Sequence, residues 1–381
     1  MKDRFTGCII GGAAGDALGY PVEFLDDGGI VRRYGKKGIR KFDLENGAAQ
    51  FSDDTQMTLF TMDGIRQGII NAETEGSGFE PEVWIYRAYL DWLQTQNGNW
   101  QTYKNSFTDL YRSESGLDAR RAPGNTCLSA LRAQQGIDIF RPQFGTGNPA
   151  NHSKGCGGVM RVAPIGLMVD ETNALGSCGT AAEIAAEAAA ITHGHPLGWL
   201  PAAFLGGLIN RIVWKNDGRT DLAGFIEKTR EDINRQFAKT EYLEDMDAIN
   251  KKALEMAYAV NKTVGENNPG PLYTDWDNIE ELGGGWVGEE ALAIALYCAV
   301  RFPQNFPEAL RASVNHSGDS DSTGAVCGNI LGAYLGFDEI VRQMKSDTED
   351  NLVLESLEMY ERLIYWTEAA YCAVMTITKG Q

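Results

Sequence analysis

The chain has 381 residues, of which 43% are hydrophobic and 23% are charged, and its formal net charge is −18. This length and apolar content are sufficient for a large hydrophobic core. The strong negative charge argues against unassisted binding to nucleic acid or to an anionic membrane, because both need basic patches.

The cysteines and the N-terminus indicate a reducing compartment. The 7 cysteines have no CxxC or zinc-finger spacing, so we interpret them as reduced thiols that pack as small hydrophobic groups. The N-terminal segment lacks the long apolar region and the cleavage site of a signal peptide. No run reaches the roughly 18 apolar residues that are needed to span a bilayer. We therefore expect a cytoplasmic protein without a membrane or nucleic-acid partner.

Helical periodicity dominates the chain, and strand-like alternation is scarce. Helices are predicted, in chain order, over 55–67, 181–192, 202–214, 245–260 and 289–300. Two of them, 181–192 and 289–300, are apolar nearly all round, which is typical of buried helices. Long loops rich in glycine and proline are expected at 140–158 and 264–288, and such loops are usually functional. No linker divides the chain, so we predict one large all-α domain over 1–381.

An aromatic-rich segment lies at 80–111. It contains Trp84, Tyr86, Tyr89, Trp92, Trp100, Tyr103 and Tyr111. Spacings of three and four place many of these side chains on one helix face. They indicate either ordinary core packing or an aromatic wall near a ligand or partner.

Two acidic motifs flanked by hydroxyl residues lie far apart, at 52–55 and 318–324. Carboxylate and hydroxyl oxygens are the ligands that hard divalent cations prefer. Four aspartates brought together cannot all stay ionised without a positive charge, which two Mg²⁺ or Mn²⁺ ions would supply. The first motif is also typical of a helix N-terminus, with Gln56 three residues beyond Asp53 in a capping box. The second motif is harder to explain as structure alone, although a solvated turn is the alternative.

Three glycine- and histidine-containing motifs complete the pattern. The glycine-dense segment 11–24 predicts close helix packing, and Glu23 is the ionisable group there that is placed to enter a cleft. Segment 151–161 resembles a nest of backbone N–H groups for phosphate oxygens. In that segment packing explains Cys156 better than nucleophilic catalysis does, because no base can be assigned. His193 belongs to an HxH pair without an evident third zinc ligand, so we expect either a hydrogen bond to phosphate or ribose, or a structural role.

These five motifs, in this order, resemble the ADP-ribosylglycohydrolase family over residues 7 to about 336. The resemblance implies a single large orthogonal bundle of helices with a binuclear Mg²⁺ (or Mn²⁺) cleft. Residues 337–381 match none of the family's motifs, and we predict that they form a C-terminal helical extension. The residues that match the family's metal ligands are Ser52, Asp53, Asp54, Asp319, Asp321 and Ser322. Those that match catalytic positions are Asp53, Asp54, Asp319 and the cleft-gating Glu23. Those that match substrate-binding positions are Ser153, Gly155, Cys156, Gly157 and His193.

The resemblance also implies an activity. We expect a metal-dependent hydrolase that removes ADP-ribose from a modified protein side chain, with arginine as the first-choice acceptor. Serine-linked ADP-ribose and O-acetyl-ADP-ribose are alternatives within the same class. A protein of a different class, a toxin-binding immunity protein that acts by occlusion, is motivated by the aromatic segment and the acidic surface. Its partner would be a cognate ADP-ribosyltransferase toxin.

Overall fold

A computed structural model describes residues 1–76, 78–98, 103–136, 138–171, 178–216, 218–270, 274–347 and 350–379. Within these ranges the regular structure consists of seventeen α-helices and short 3₁₀ turns, and the only β-pairing is isolated bridges. The helices are α1 Lys2–Gly19, α2 Asp27–Tyr34, α3 Asp53–Glu75, α4 Pro81–Gln96, α5 Asp109–Ser113, α6 Asn125–Gln134, α7 Ala163–Met168, α8 Ala181–Ala190, α9 Pro196–Trp214, α10 Leu222–Gln236, α11 Leu243–Val264, α12 Thr274–Glu280, α13 Gly288–Arg301, α14 Phe306–Val314, α15 Ser320–Leu335, α16 Phe337–Ser346 and α17 Tyr360–Lys379. The predicted all-α class is confirmed.

At the centre of the fold, α1 and α15 pack antiparallel through two facing rows of small residues. The facing pairs are Gly7 with Gly332, Gly11 with Gly328, Gly15 with Gly324, and Gly19 with Ser320. A Cβ atom built on Gly328 would lie 2.0 Å from the carbonyl oxygen of Gly11, so the two backbones are in direct contact. The glycine-dense N-terminal segment is therefore explained by close helix packing, as predicted. We call these two rows the glycine ladder.

The five predicted helices are all present, with shifted ends. The helix predicted over 55–67 continues to Glu75, where Gly76, with a φ of 63°, ends it. The loop predicted over 140–158 is irregular as far as a 3₁₀ turn at Cys156–Gly158. The loop predicted over 264–288 was wrong in part, because α12 lies inside it. The helices α16 and α17 follow the family motifs and pack against α1, and α17 also contacts α3.

One apolar helix, α9, has a composition that the sequence analysis did not anticipate. Within the described ranges it alone is long and apolar enough to cross a membrane, with a mean hydropathy of 1.2 over an 18-residue stretch. However, 83% of that stretch is buried inside the protein. It packs against α7, α8, α10 and α13, as expected for a core helix.

The aromatic segment belongs mainly to the hydrophobic core. Tyr86, Tyr89 and Trp92 on α4 are fully buried. The Tyr89 hydroxyl is 2.8 Å from Thr61 Oγ1, and the Trp92 indole N–H donates to Gln56 Oε1 over 3.3 Å. Core packing is therefore the correct interpretation for these three side chains. Trp100 lies outside the described residues.

Candidate active site

The two acidic motifs and the end of α1 meet at one cavity of about 180 Å³. The cavity is lined by Glu23, Asp53, Asp54, Ala122, Gly124, Thr126, Cys127, Gly155, Cys156, Gly157, Met160, His193, Trp286, Asp319, Asp321 and Ser322. Of the predicted site residues, only Ser52 and Ser153 are not among its lining. Larger hollows lie elsewhere, and in the one of about 380 Å³ the charged groups are already paired, as Arg211 is with Asp232 and Lys215 is with Glu171. The cavity that is lined by the two acidic motifs is therefore the candidate active site.

The N-terminus of α3 carries the first acidic motif. Ser52 is the N-cap, and its Oγ accepts a hydrogen bond from the Asp54 N–H over 3.1 Å. The capping box predicted for this position was wrong. The Gln56 side chain instead donates to the Ala119 carbonyl over 3.0 Å and accepts from Gln96 over 2.9 Å. Gln56 therefore anchors the segment that precedes α6 beside the cavity.

A buried carboxylate from α1, Asp16, holds this N-terminus in place. Its Oδ1 accepts from the Ser52 N–H over 2.8 Å, and its Oδ2 accepts from the Thr55 N–H over 2.9 Å and from the Thr55 hydroxyl over 2.5 Å. Burial raises the pKa of Asp16 to about 6, although these hydrogen bonds oppose the shift. Asp16 lies in the glycine-dense segment 11–24, in which only Glu23 was predicted to belong to the site.

The second acidic motif opens α15 and contacts the first directly. Asp319 is the N-cap of α15. The Ser322 hydroxyl donates to Asp54 Oδ1 over 2.8 Å, which joins the two motifs. The Cys156 thiol donates to Asp319 Oδ2 over 2.7 Å, which joins the glycine-rich loop to them. The convergence that the sequence predicted is therefore present.

The acids in this cavity repel one another in a buried environment. Burial, and then neighbouring carboxylates, raise the pKa of Asp53, Asp54 and Asp321 well above the usual value. Burial also raises the pKa of Asp319. Burial raises the pKa of Glu23 to about 9, with Asp319 and Asp53 adding to the shift. In the absence of a cation, some of these groups would therefore hold protons at neutral pH.

The donor set fits a divalent cation in its chemistry. All its members offer oxygen atoms, and two buried oxygens, Asp53 Oδ2 and Glu23 Oε2, have no hydrogen-bond partner among the described residues. Such orphaned acceptors are costly in a folded protein unless a positive charge meets them. As they stand, however, no three His, Cys, Asp or Glu side chains within the described ranges are arranged to hold one ion. The side chains would have to rotate to coordinate one.

The glycine-rich loop differs from the predicted nest of free amides. The Gly155 N–H donates to Ser153 Oγ over 3.3 Å, and the Cys156 N–H donates to the Trp286 carbonyl over 3.2 Å. These two amides are therefore engaged and not free for phosphate. Burial raises the pKa of the Cys156 thiol well above its usual value, which agrees with the interpretation that it is not a nucleophile.

The histidines of the sequence motifs have separate roles. His193 is buried against the loop, and a Cβ on Gly157 would lie 2.9 Å from its Cε1 atom. His195 is the N-cap of α9 and accepts from the Leu197 N–H over 3.1 Å, so it is structural. His316 lies 2.9 Å from Thr323 Oγ1 through its Nε2 atom, so it contacts the second acidic motif from the side of α14.

Several lining residues come from segments in which the sequence analysis identified no site. Ala122, Gly124, Thr126 and Cys127 approach from the turn and helix at 122–127. The Asp53 N–H donates to the Arg121 carbonyl over 2.9 Å, which fixes this turn beside α3. The only local signal in the sequence was the PGN run before α6, which is typical of a turn.

Comparison with known proteins identifies the family. The ADP-ribosylglycohydrolase family model matches residues 1–369. The chain is 24% identical to ADP-ribosylhydrolase ARH3 of Bos taurus over 91% of this chain and 88% of that protein. It is also 24% identical to the ADP-ribosyl-[dinitrogen reductase] glycohydrolase of Rhodospirillum rubrum, over 89% of this chain and 88% of that protein.

A solved structure has the same fold. The structure described as an ADP-ribosylglycohydrolase-related protein complex aligns with a TM-score of 0.55 and 21% identity, over 98% of each chain. The all-α arrangement is thus shared along the whole length. The chain belongs to the ADP-ribosylglycohydrolase family.

Proposed function

We propose that the protein is a divalent-metal-dependent hydrolase that releases ADP-ribose from a modified protein side chain. The observation that carries the proposal is the convergence of carboxylates from the motifs at 52–55 and 318–324 on one cavity. Family membership supports ADP-ribose as the group released. The bovine and Rhodospirillum relatives are named for this class of reaction.

The two motifs supply the residues that would hold the ions. These are Ser52, Asp53, Asp54, Asp319, Asp321 and Ser322. Mg²⁺ or Mn²⁺ bound there would neutralise the carboxylates and lower the pKa of a bound water. Asp16 holds the N-terminus of α3, and therefore Asp53 and Asp54, against α1.

Cleavage at an anomeric carbon develops positive oxocarbenium character on the sugar. The carboxylate walls of the cavity are suited to stabilise that charge. For the proton transfer we favour Glu23 among the four matched catalytic positions, because its Oε2 has no partner within the described residues and because, unlike Asp53, it does not match a metal ligand. Asp54 already accepts from the Ser322 hydroxyl, and Asp319 from the Cys156 thiol. Asp54 and Asp319 are therefore better suited to hold a cation than to move a proton.

Arginine is the acceptor that we favour. Trp286 lines the cavity, and its ring stacks on that of Phe24 with centroids 5.9 Å apart. Both rings are exposed, Phe24 at 71% and Trp286 at 46%, and Phe24 directly follows Glu23 in the chain. An exposed aromatic face beside carboxylates suits a planar guanidinium, which stacks on rings and pairs with acids. Serine-linked ADP-ribose and O-acetyl-ADP-ribose lack that cation.

The occlusion hypothesis has lost part of its support. It rested on the aromatic segment as a docking surface, whereas Tyr86, Tyr89 and Trp92 are fully buried. The acidic surface remains as its motivation. A variant without the metal ligands distinguishes the two classes, because a protein that acts by occlusion would still protect against a toxin.

The first experiment measures release of ADP-ribose from an arginine-ADP-ribosylated protein with Mg²⁺ or with EDTA. We expect release with Mg²⁺ only, and none from the double variant Asp53→Asn/Asp54→Asn at unchanged circular dichroism. Ser322→Thr keeps the hydroxyl and should retain activity, whereas Ser322→Ala should lose most of it. Undiminished release by the double variant would refute the proposed site. Faster release from serine-linked than from arginine-linked peptides would overturn the choice of acceptor.

A further inference from the structure

A buried arginine next to the cavity has no carboxylate partner within the described residues. Arg161 is fully buried, and its guanidinium lies 4.3 Å from the centre of the Tyr89 ring. Its Nη2 donates to the Ala188 carbonyl over 3.1 Å and to Thr192 Oγ1 over 2.7 Å. Its Nη1 is 3.4 Å from the sulfur of Cys127, which lines the cavity. Burying a guanidinium without an acidic partner is costly, so we expect Arg161 to have a role beyond packing.

The direction of each hydrogen bond follows from the available protons. A guanidinium can only donate, so the Thr192 oxygen accepts from Arg161 and its own proton is free to be given to another acceptor. The candidates are His193 Nδ1 at 2.9 Å, the Ala189 carbonyl at 3.4 Å and the Cys127 sulfur, with which the Thr192 hydroxyl also interacts. The shortest of these contacts is the one to His193 Nδ1, and a Thr192 Oγ–H donated along it makes Nδ1 the acceptor. A neutral imidazole with Nδ1 as acceptor carries its proton on Nε2.

We propose that Arg161 and Thr192 are positioning residues that hold His193 in the Nε2–H tautomer, so that it offers the cavity a hydrogen-bond donor. His193 lines the cavity, and a Cβ on Gly155 would lie 3.3 Å from its Nε2 atom. Burial, and then the charge of Arg161, lower the pKa of His193 to about 3, so the ring is neutral at working pH. The opposite tautomer would leave the Thr192 proton two weaker acceptors, the more distant Ala189 carbonyl and the Cys127 sulfur.

The ligand chemistry for this donor is an acceptor oxygen of ADP-ribose, on the pyrophosphate or on a ribose. This identification rests on the proposed function, whereas the tautomer does not. The Nε2–H group of His193 also replaces a donor that the loop does not supply, because the amides of Gly155 and Cys156 are already engaged. A neutral donor of this kind binds the substrate and takes no part in proton transfer.

The tautomer is measured directly by long-range ¹H–¹⁵N correlation of the imidazole rings. The chain has 4 histidines, so His193 is assigned by its absence from His193→Gln. We expect the Nε2–H pattern in the wild type and in Thr192→Ser, which keeps the hydroxyl. Thr192→Val, which has the same shape without the hydroxyl, should lose the fixed pattern. An Nδ1–H pattern in the wild type, or an unchanged pattern in Thr192→Val, would overturn the proposal.

Binding is tested separately, without turnover, by calorimetry with ADP-ribose, AMP, pyrophosphate and ribose 5-phosphate. Loss of one hydrogen-bond donor should weaken ADP-ribose binding by roughly tenfold in Thr192→Val and leave Thr192→Ser unchanged. An equal loss for pyrophosphate would assign the acceptor oxygen to the phosphates, and a loss confined to the ribose-containing ligands would assign it to the sugar. If Thr192→Val loses the fixed Nε2–H pattern and still binds ADP-ribose with wild-type affinity, the proposed role in binding is refuted. If no linkage is hydrolysed, the proposed function fails while the tautomer measurement still stands.

Discussion

The glycine ladder makes a quantitative prediction for Gly328→Ala. The added Cβ would lie 2.0 Å from the Gly11 carbonyl oxygen and 2.6 Å from its carbon. Both are backbone atoms, so relief requires α1 and α15 to separate by well over about 1 Å. Overpacking of this kind costs about 3 kcal/mol. The better helix propensity of alanine returns at most about 1 kcal/mol. We therefore expect a net loss of about 2 kcal/mol in the free energy of unfolding.

The matched control is Gly207→Ala in α9. There the new Cβ would meet Ala182 at 3.6 Å and Thr229 at 3.7 Å, which is ordinary van der Waals contact. The same substitution should therefore be neutral or stabilising by up to about 1 kcal/mol. Urea unfolding followed by circular dichroism gives both values, and the expected gap is about 2 to 3 kcal/mol. A gap below about 0.5 kcal/mol, within the usual error of such comparisons, would refute the close backbone packing.

Two further predictions concern the acids of the cavity. Asp54→Asn removes one of several mutually repelling charges, so in EDTA it should unfold at a higher temperature than the wild type. The stabilisation that Mg²⁺ gives the wild type, about 2.7 kcal/mol at a hundred times the Kd, should disappear in this variant. Thermal melts with and without Mg²⁺ check both expectations. The pKa of Glu23 is raised from 4.5 to about 9. In metal-free protein its contribution to stability is therefore complete below pH 4.5 and is lost as the pH rises through about 9. Glu23→Gln should therefore gain stability relative to the wild type between pH 6 and 9.5 in EDTA, and a constant difference across that range would contradict the assigned shift.

The helices and the acidic motifs could be predicted from the sequence, because their signals lie in residues that are close together in the chain. Apolar periodicity marks buried helices, and acids with hydroxyl residues mark helix N-termini such as those at Ser52 and Asp319. Asp16 was not assigned, because its partners, Ser52 and Thr55, are 36 and 39 residues away and nothing in the surrounding glycine and alanine residues specifies them. The turn that carries Ala122 has no periodicity, so its place beside the cavity depends on tertiary contacts alone.

The amides of the glycine-rich loop show a second limit of prediction from the sequence. A run of glycines indicates that backbone N–H groups are accessible, but it cannot show which of them find partners inside the protein. The Cys156 N–H is taken by the carbonyl of Trp286, 130 residues later in the chain. The side chain of His193 was predicted as a substrate contact, yet its tautomer depends on Arg161, which no local pattern connects to it.

The glycine ladder shows that some long-range information was nevertheless present in the sequence. Glycines recur every four residues from Gly7 to Gly19 and again from Gly324 to Gly336, and this spacing places each row on one helix face. Two such rows can bring backbones into contact only if they face each other, because any larger partner side chain would hold the helices apart. An antiparallel pairing then brings the start of α15, with Asp321, against the end of α1 at Gly19, just before Glu23. The site therefore lies at one end of the ladder, because the residues that permit the closest helix contact in the fold also lead directly into the acids.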